Sequence, residues 1–137
     1  DGRRFENWEN NYAAKIGLGV AVDYALSWEI DITWKRLSSL AAQLREGLSA
    51  IPAVTVHDIG RVKGGIVTFN VAGQSADAIQ QTLATHKINT TTSTVTSTRL
   101  DMEARHIQEL VRASVHYYNT EAEVARFCEI VEGLAQK

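Results

Sequence analysis

The chain has 137 residues, of which 45% are hydrophobic and 22% charged. One domain is expected at this length, with about 68% of the unfolded chain's surface buried, so the sequence is not that of a disordered protein. With 14 basic residues against 16 acidic ones, the net charge is -2, which argues against a partner bound by phosphate neutralisation, hence against nucleic acid.

No stretch reaches the roughly 20 apolar residues of a membrane span, so no membrane partner is expected. The start, DGRRFENWENNY, is not a signal peptide, because no apolar run follows the basic residues. It opens at Asp1 without a methionine, as expected of a processed or excised segment. Cys128 is the only cysteine. That leaves no intrachain disulfide and fits a cytoplasmic location.

Residues 11–26 carry Ala13, Ile16, Gly17, Val20 and Tyr24 at helical spacing. Gly17 and Gly19 each cost about 1 kcal/mol against alanine in a helix, so close packing or a break is expected there. Residues 29–48 form a stronger helix with a stripe of Thr33, Leu37, Leu40, Ala41, Leu44 and Leu48. Lys35, Arg36, Arg45 and Glu46 fall on its solvated side. Ile51-Pro52 ends the helix, because a residue before proline is pushed out of the helical region. Ala53 to His57 reads as a short strand, and Gly65 to Val71 as the clearest one, rich in β-branched and aromatic residues. The intervening GRVKGG is a basic turn without a phosphate-loop or dinucleotide pattern.

Ser75 caps a helix over 76–86, with Ile79 and Leu83 facing inward. Residues 88–99, INTTTSTVTSTR, are dominated by hydroxyls. Ile88 to Thr92 suits a strand, and the remainder a loop or edge strand. Leu110 to Tyr118 reads as a strand with Val111, Ala113, Val115 and Tyr117 on one face and Arg112, Ser114 and His116 on the other. Thr120 and Glu123 have capping-box spacing before a final helix, 121–135. Val124, Phe127, Cys128, Val131 and Leu134 line its apolar face. The order implies an α+β fold, helices packed on a small mixed or antiparallel sheet.

Arg112 is the sharpest candidate. A charge inside an apolar strand needs a partner, and a guanidinium can grip a carboxylate through two parallel hydrogen bonds. The alternative is a salt bridge to the chain's own acid. His116 lies two residues on, and a lone histidine is more often structural than catalytic. The four histidines lack metal-site spacing, one cysteine builds no thiolate cluster, and no G-x-S-x-G elbow is present. No metal is therefore expected, and Cys128 reads as a buried, inert thiol.

VRASVHYYNTEAEVARF resembles the C-terminal segment of class V pyridoxal-phosphate aminotransferases, the group that includes cysteine desulfurases and selenocysteine lyases. GRRFENWENNYAAKIGLGVAVDY resembles the segment in which that family's large domain passes into the helix leading to the small domain. The resemblance implies that residues 1–137 are the small C-terminal domain of a fold-type I enzyme, linking helix included, with the large cofactor-binding domain absent. It implies pyridoxal 5'-phosphate in the full-length enzyme, none on this segment, an amino-acid substrate, and a homodimer when full-length. The segment itself is expected to be inactive and to supply no catalytic residue.

By the same resemblance Arg112 binds the substrate α-carboxylate and Arg99 lines the substrate entrance; His116, on the strand face of Arg112, is the third substrate-side candidate. Many members carry a glycine-threonine pair after the segment matching Arg4-Phe5-Glu6, and its threonine reaches the cofactor phosphate. Here Asn7 and Trp8 take that place. Cysteine desulfurases also carry a nucleophilic cysteine in the loop matching 93–104, where STVTSTRLDMEA has none. Transamination, C–S lysis or an epimerase-like reaction is favoured over persulfide formation. The rival reading is a non-catalytic α/β protein-interaction domain, with Arg112 paired internally or facing a protein partner.

Overall fold

The computed structural model describes residues 2–5 and 9–136. The chain divides into two compact units, Asp1–Thr33 and Trp34–Lys137.

In the first unit a short 3-10 turn, Gly2–Phe5, precedes helix α1, Tyr12–Ser27. The Asn11 side chain caps α1 by accepting from Ala14 N–H at 2.9 Å. Sequence periodicity anticipated the helix but not its surroundings. None of its residues is buried, and Ile16, Leu18, Val20 and Tyr24 stand exposed around it. A Cβ at Gly17 or Gly19 would meet nothing within 4 Å. Among the described residues nothing packs close to either glycine, and the helix runs through both without a break. A helix apolar on all sides ordinarily lies buried.

Helix α2, Ile30–Ser49, begins in the first unit and supplies the second with the stripe the sequence shows. Leu40, Ala41, Leu44 and Leu48 are buried on it. Strand β1, Val54–Val56, follows, then β2, Ile66–Val71, and helix α3, Ala76–Thr85. Ser75 caps α3 as expected, accepting from Ala78 N–H. Strand β3 is Thr91–Thr94, helix α4 is Arg99–Ala104, strand β4 is Glu109–Ser114 and helix α5 is Glu121–Ala135. The capping box of Thr120 and Glu123 is present at the start of α5.

The four strands make one sheet in the order β1-β2-β4-β3, antiparallel throughout. Alternation sends Val67, Phe69, Val71, Val111 and Ala113 to one face. There they meet the apolar residues of α2, α3 and α5 in a single core. On the other face Leu110 joins Met102 and Ile107 in a small cluster that seats α4.

The sequence reading missed α4, whose six residues are too few for a periodic signal. It also placed the hydroxyl-rich strand three residues early and ran β4 to Tyr118. The strand ends at Ser114 because the chain then folds into a turn: Asn119 Oδ1 accepts from His116 N–H at 2.8 Å, and Asn119 N–H donates to His116 O at 3.0 Å.

Arg36 and Arg45 are not simply solvated. Arg36 makes a forked pair with Glu121 and donates to Asn119 O at 2.8 Å, tying α2 to the start of α5. This bond, with the fixed charge of Arg36, lowers the Glu121 carboxyl to about 2. A carboxyl depressed in the folded state stabilises the fold above its unfolded pKa, and that contribution fades as acid protonates it. Acid titration followed by circular dichroism is expected to show Glu121→Gln losing less stability than the parent chain between about pH 4.5 and pH 2. Equal losses would show that the pair carries no such linkage.

Arg45 reaches under the loop between β1 and β2. Its Nε donates to Asp58 Oδ2 at 2.7 Å, and its Nη2 donates to Gly64 O at 2.7 Å and Ile66 O at 2.9 Å. Asp58 Oδ1 in turn accepts from Thr68 N–H at 2.9 Å and from the Thr68 hydroxyl at 2.7 Å. The two charged side chains are only 13% and 9% exposed. Removing one partner of such a pair leaves a desolvated charge, so Asp58→Ala is expected to destabilise by about 2–3 kcal/mol. Urea unfolding measures this. A loss below about 0.5 kcal/mol would show that the loop does not depend on the clasp.

Candidate functional site

On the sheet face opposite the main core the α4 end is covered by its own small cluster, while the Arg112 end is open. Leu110 and Arg112 share that face by strand alternation, yet Leu110 is 5% exposed and Arg112 is solvent-accessible. Thr68 of β2 and Thr91 of β3 stand opposite Arg112 on its two sides. Thr68 is fixed through Asp58 and Arg45, so the strand facing Arg112 is held from below by a buried ion pair.

The sequence demanded a partner for Arg112. Among the described residues its guanidinium has none, in ion pair or hydrogen bond. The physical reason is exposure: the side chain leaves the apolar strand on the solvent side, so water satisfies it. What results is a free, forked cation on a rigid strand, a geometry suited to a carboxylate.

Arg99 is the first residue of α4, and its Nε donates to Glu103 Oε1 at 2.8 Å, in an exposed pair. His116 sits beyond the end of β4. Its ring is tilted against Tyr117 at 4.5 Å and stacked on Tyr118 at 4.9 Å between centroids. No hydrogen bond or ring contact joins Arg112 to Arg99 or His116 among the described residues. Asn7 and Trp8 lie outside the described residues. The residues that sequence reasoning missed are Asp58 and Arg45, because their meeting depends on how α2 lies along the loop.

Two sequence segments and one sheet face thus point the same way. The family description Aminotransferase class-V matches residues 2–127. The chain belongs to that family. It is 30% identical over 135 residues, 97% of this chain and 33% of the relative, to a probable cysteine desulfurase of Pyrococcus abyssi (strain GE5 / Orsay). The cysteine desulfurase of Thermococcus onnurineus NA1, solved in its apo form, superposes with a TM-score of 0.87 at 27% identity, covering 97% of this chain and 33% of that one. A C-DES mutant with glycine covalently linked to its PLP cofactor shares the fold, with a TM-score of 0.72 at 22% identity over 96% of this chain and 31% of that one. The fold is therefore that of a segment of these enzymes, and the chain spans about a third of the length of the curated relatives it matches.

The described residues do not fit a complete cofactor site. A lysine that bonds a carbonyl cofactor is activated by desolvation or by a neighbouring cation in a pocket. In this class-V aminotransferase segment Lys15, Lys35, Lys63 and Lys87 are all exposed, and Lys137 lies outside the described residues. Cys128 is no better placed as a nucleophile. It lies half-buried on α5, and burial, followed by the charge of Glu129, pushes its thiol up from the ordinary range.

Proposed function

We propose that this chain is the substrate-carboxylate-binding part of a class V pyridoxal-phosphate enzyme acting on an amino acid. The observation that carries the reading is Arg112: a forked cation on a rigid strand, exposed, without a partner among the described residues, and flanked by threonines on both neighbouring strands. Among the described residues no salt bridge seals Arg112, which speaks against the internally paired form of the interaction-domain rival. Holding the α-carboxylate at Arg112 orients the rest of the amino acid toward the reacting atoms, which is the contribution a positioning cation makes to rate.

The cofactor, its lysine and the reacting groups belong in this reading to the larger part of the enzyme, outside residues 1–137. Asn7 and Trp8 replace the family's phosphate-binding threonine, with Arg99 and His116 near the substrate entrance. The reaction is transamination or elimination at a C–S or β bond, since the loop over 93–104 has no cysteine. A homodimer in the cytoplasm completes the proposal. The apolar surface of α1 supports a large missing partner, since Ile16, Leu18 and Val20 are each at least 65% exposed.

The test uses the full-length enzyme and compares each amino acid it accepts with the corresponding amine lacking the carboxylate. The amine is expected to lose about 100-fold in kcat/KM. Equal turnover of both would sink the carboxylate reading. The 137-residue chain alone, mixed with pyridoxal 5'-phosphate and amino acids, is expected to show no turnover. Activity in that mixture would overturn the assignment of the chemistry to the larger part.

A further inference from the structure

The sheet has a notch at one corner. β4 remains paired with β2 through Ser114, opposite Ile66, and Val115 N–H donates to Gly65 O at 3.0 Å. On its other side β4 is paired only as far as Arg112, opposite Thr91, the first residue of β3. Successive residues of an antiparallel strand direct their N–H and C=O groups alternately to the two neighbours. Val115 bonds toward β2, so Ser114 directs both main-chain groups the opposite way, to the position Asn89 would hold if β3 continued.

The chain at 87–89 is held elsewhere. Lys87 N–H donates to Ala84 O at 2.9 Å and Ile88 N–H to Leu83 O at 3.0 Å, with Lys87 turned at φ 61°. These bonds fasten the segment to the end of α3. Among the described residues no backbone group takes Asn89's place opposite Ser114.

A cleft of about 340 Å³ occupies the notch, with Ile88, Thr90, Ser114, Val115, Val124 and Phe127 among its walls. That volume is at the small end of ligand sites. The hydroxyl oxygen of Thr90, one of the lining residues, is buried without a hydrogen-bond partner. Lys87 and Arg126 also line the cleft. Glu123 does too, but its Oε2 already accepts from Thr120 N–H at 2.8 Å and from Asn119 Nδ2 at 3.2 Å. Arg126 Nη2 donates to His86 O at 3.2 Å, and an incoming group meets two cations against the one carboxylate of Glu123.

We propose that this notch binds a short, extended, acidic peptide segment of a partner protein as an added piece of strand. Its main chain pairs with the N–H and C=O of Ser114, and an acidic side chain meets Lys87 and Arg126. An extended peptide is the fitting occupant because one residue of it supplies both the acceptor and the donor that a vacated antiparallel position requires. The site is separate from Arg112, Arg99 and His116, so it stands or falls independently of the substrate reading.

The probe is the peptide acetyl-Val-Asp-Val-Asp-Val-amide, titrated into the ¹⁵N-labelled full-length enzyme and followed by amide chemical shifts. Saturable shifts are expected at Ser114 and Thr90, weakened about tenfold when the peptide's bonding amides are N-methylated. Charge reversal by Lys87→Glu with Arg126→Glu, both at solvent-accessible positions, is expected to weaken binding roughly tenfold as well. No shift at Ser114 and Thr90 at about 1 mM peptide would overturn the proposal. So would equal binding of the N-methylated peptide, or the same shifts produced by acetate or inorganic phosphate alone, which would mark a small-anion site instead. The N-methyl comparison uses only the parent enzyme and decides the matter even if the charge-reversed variant fails to fold.

Discussion

Arg112→Ala in the full-length enzyme is expected to lower kcat/KM for the amino-acid substrate by about 10²–10³-fold, a loss of about 3–4 kcal/mol of transition-state stabilisation. The size follows from the chemistry of the pair. A guanidinium gives a carboxylate two charge-assisted hydrogen bonds in one plane, and truncation leaves the bound carboxylate without either. Arg112→Lys should recover only part of the loss, because an ammonium is a point charge and cannot form the fork. The side chain is exposed and unpaired among the described residues, so neither change should alter the unfolding free energy by more than about 0.5 kcal/mol. That combination separates a substrate clamp from a structural residue. A variant that is destabilised yet retains kcat/KM would return Arg112 to the interaction-domain reading.

The second large effect concerns the core beneath that strand. Phe69→Ala is expected to destabilise the chain by about 4 kcal/mol. Phe69 is fully buried at the centre of β2, opposite Val111, and packs edge-on against Phe127 of α5 with ring centroids 5.9 Å apart at 84°. Its loss removes buried apolar surface, an edge-to-face contact and the join between sheet and helix at once. That is a large share of the roughly 5–15 kcal/mol by which a domain is typically stable. Urea unfolding should show the midpoint falling with little change in slope, and Phe69→Leu should cost about 1–1.5 kcal/mol. If Phe69→Ala cost less than about 1 kcal/mol, the sheet and α5 would not share one core.

These two residues also show what could be read before any coordinates. Period-two alternation placed Val111 and Ala113 on the buried face and Arg112 and Ser114 on the other, which is where they are. Helical spacing gave the leucine stripe of α2, and the Thr120–Glu123 spacing gave the start of α5. Such features were legible because each is a property of one segment: a repeat or a cap is written in neighbouring residues. The same segment carried the resemblance to the family, through VRASVHYYNT and the motif near Phe5.

Other features were illegible because they belong to two segments at once. Arg45 looked like a solvated helix residue, and became a buried clasp only when the Asp58 loop folded against α2. Leu110 and Arg112 alternate identically along β4, but α4 covers the first and leaves the second open. The early end of β3 makes a notch of Ser114, although nothing in that serine's neighbourhood announces it. By itself the sequence determined most of the elements, their apolar faces and the family, and it singled out Arg112 as the candidate cation for a carboxylate. Tertiary structure alone decided whether that cation was free, because pairing, cover and exposure depend on which distant segments meet, and local periodicity carries no information about that.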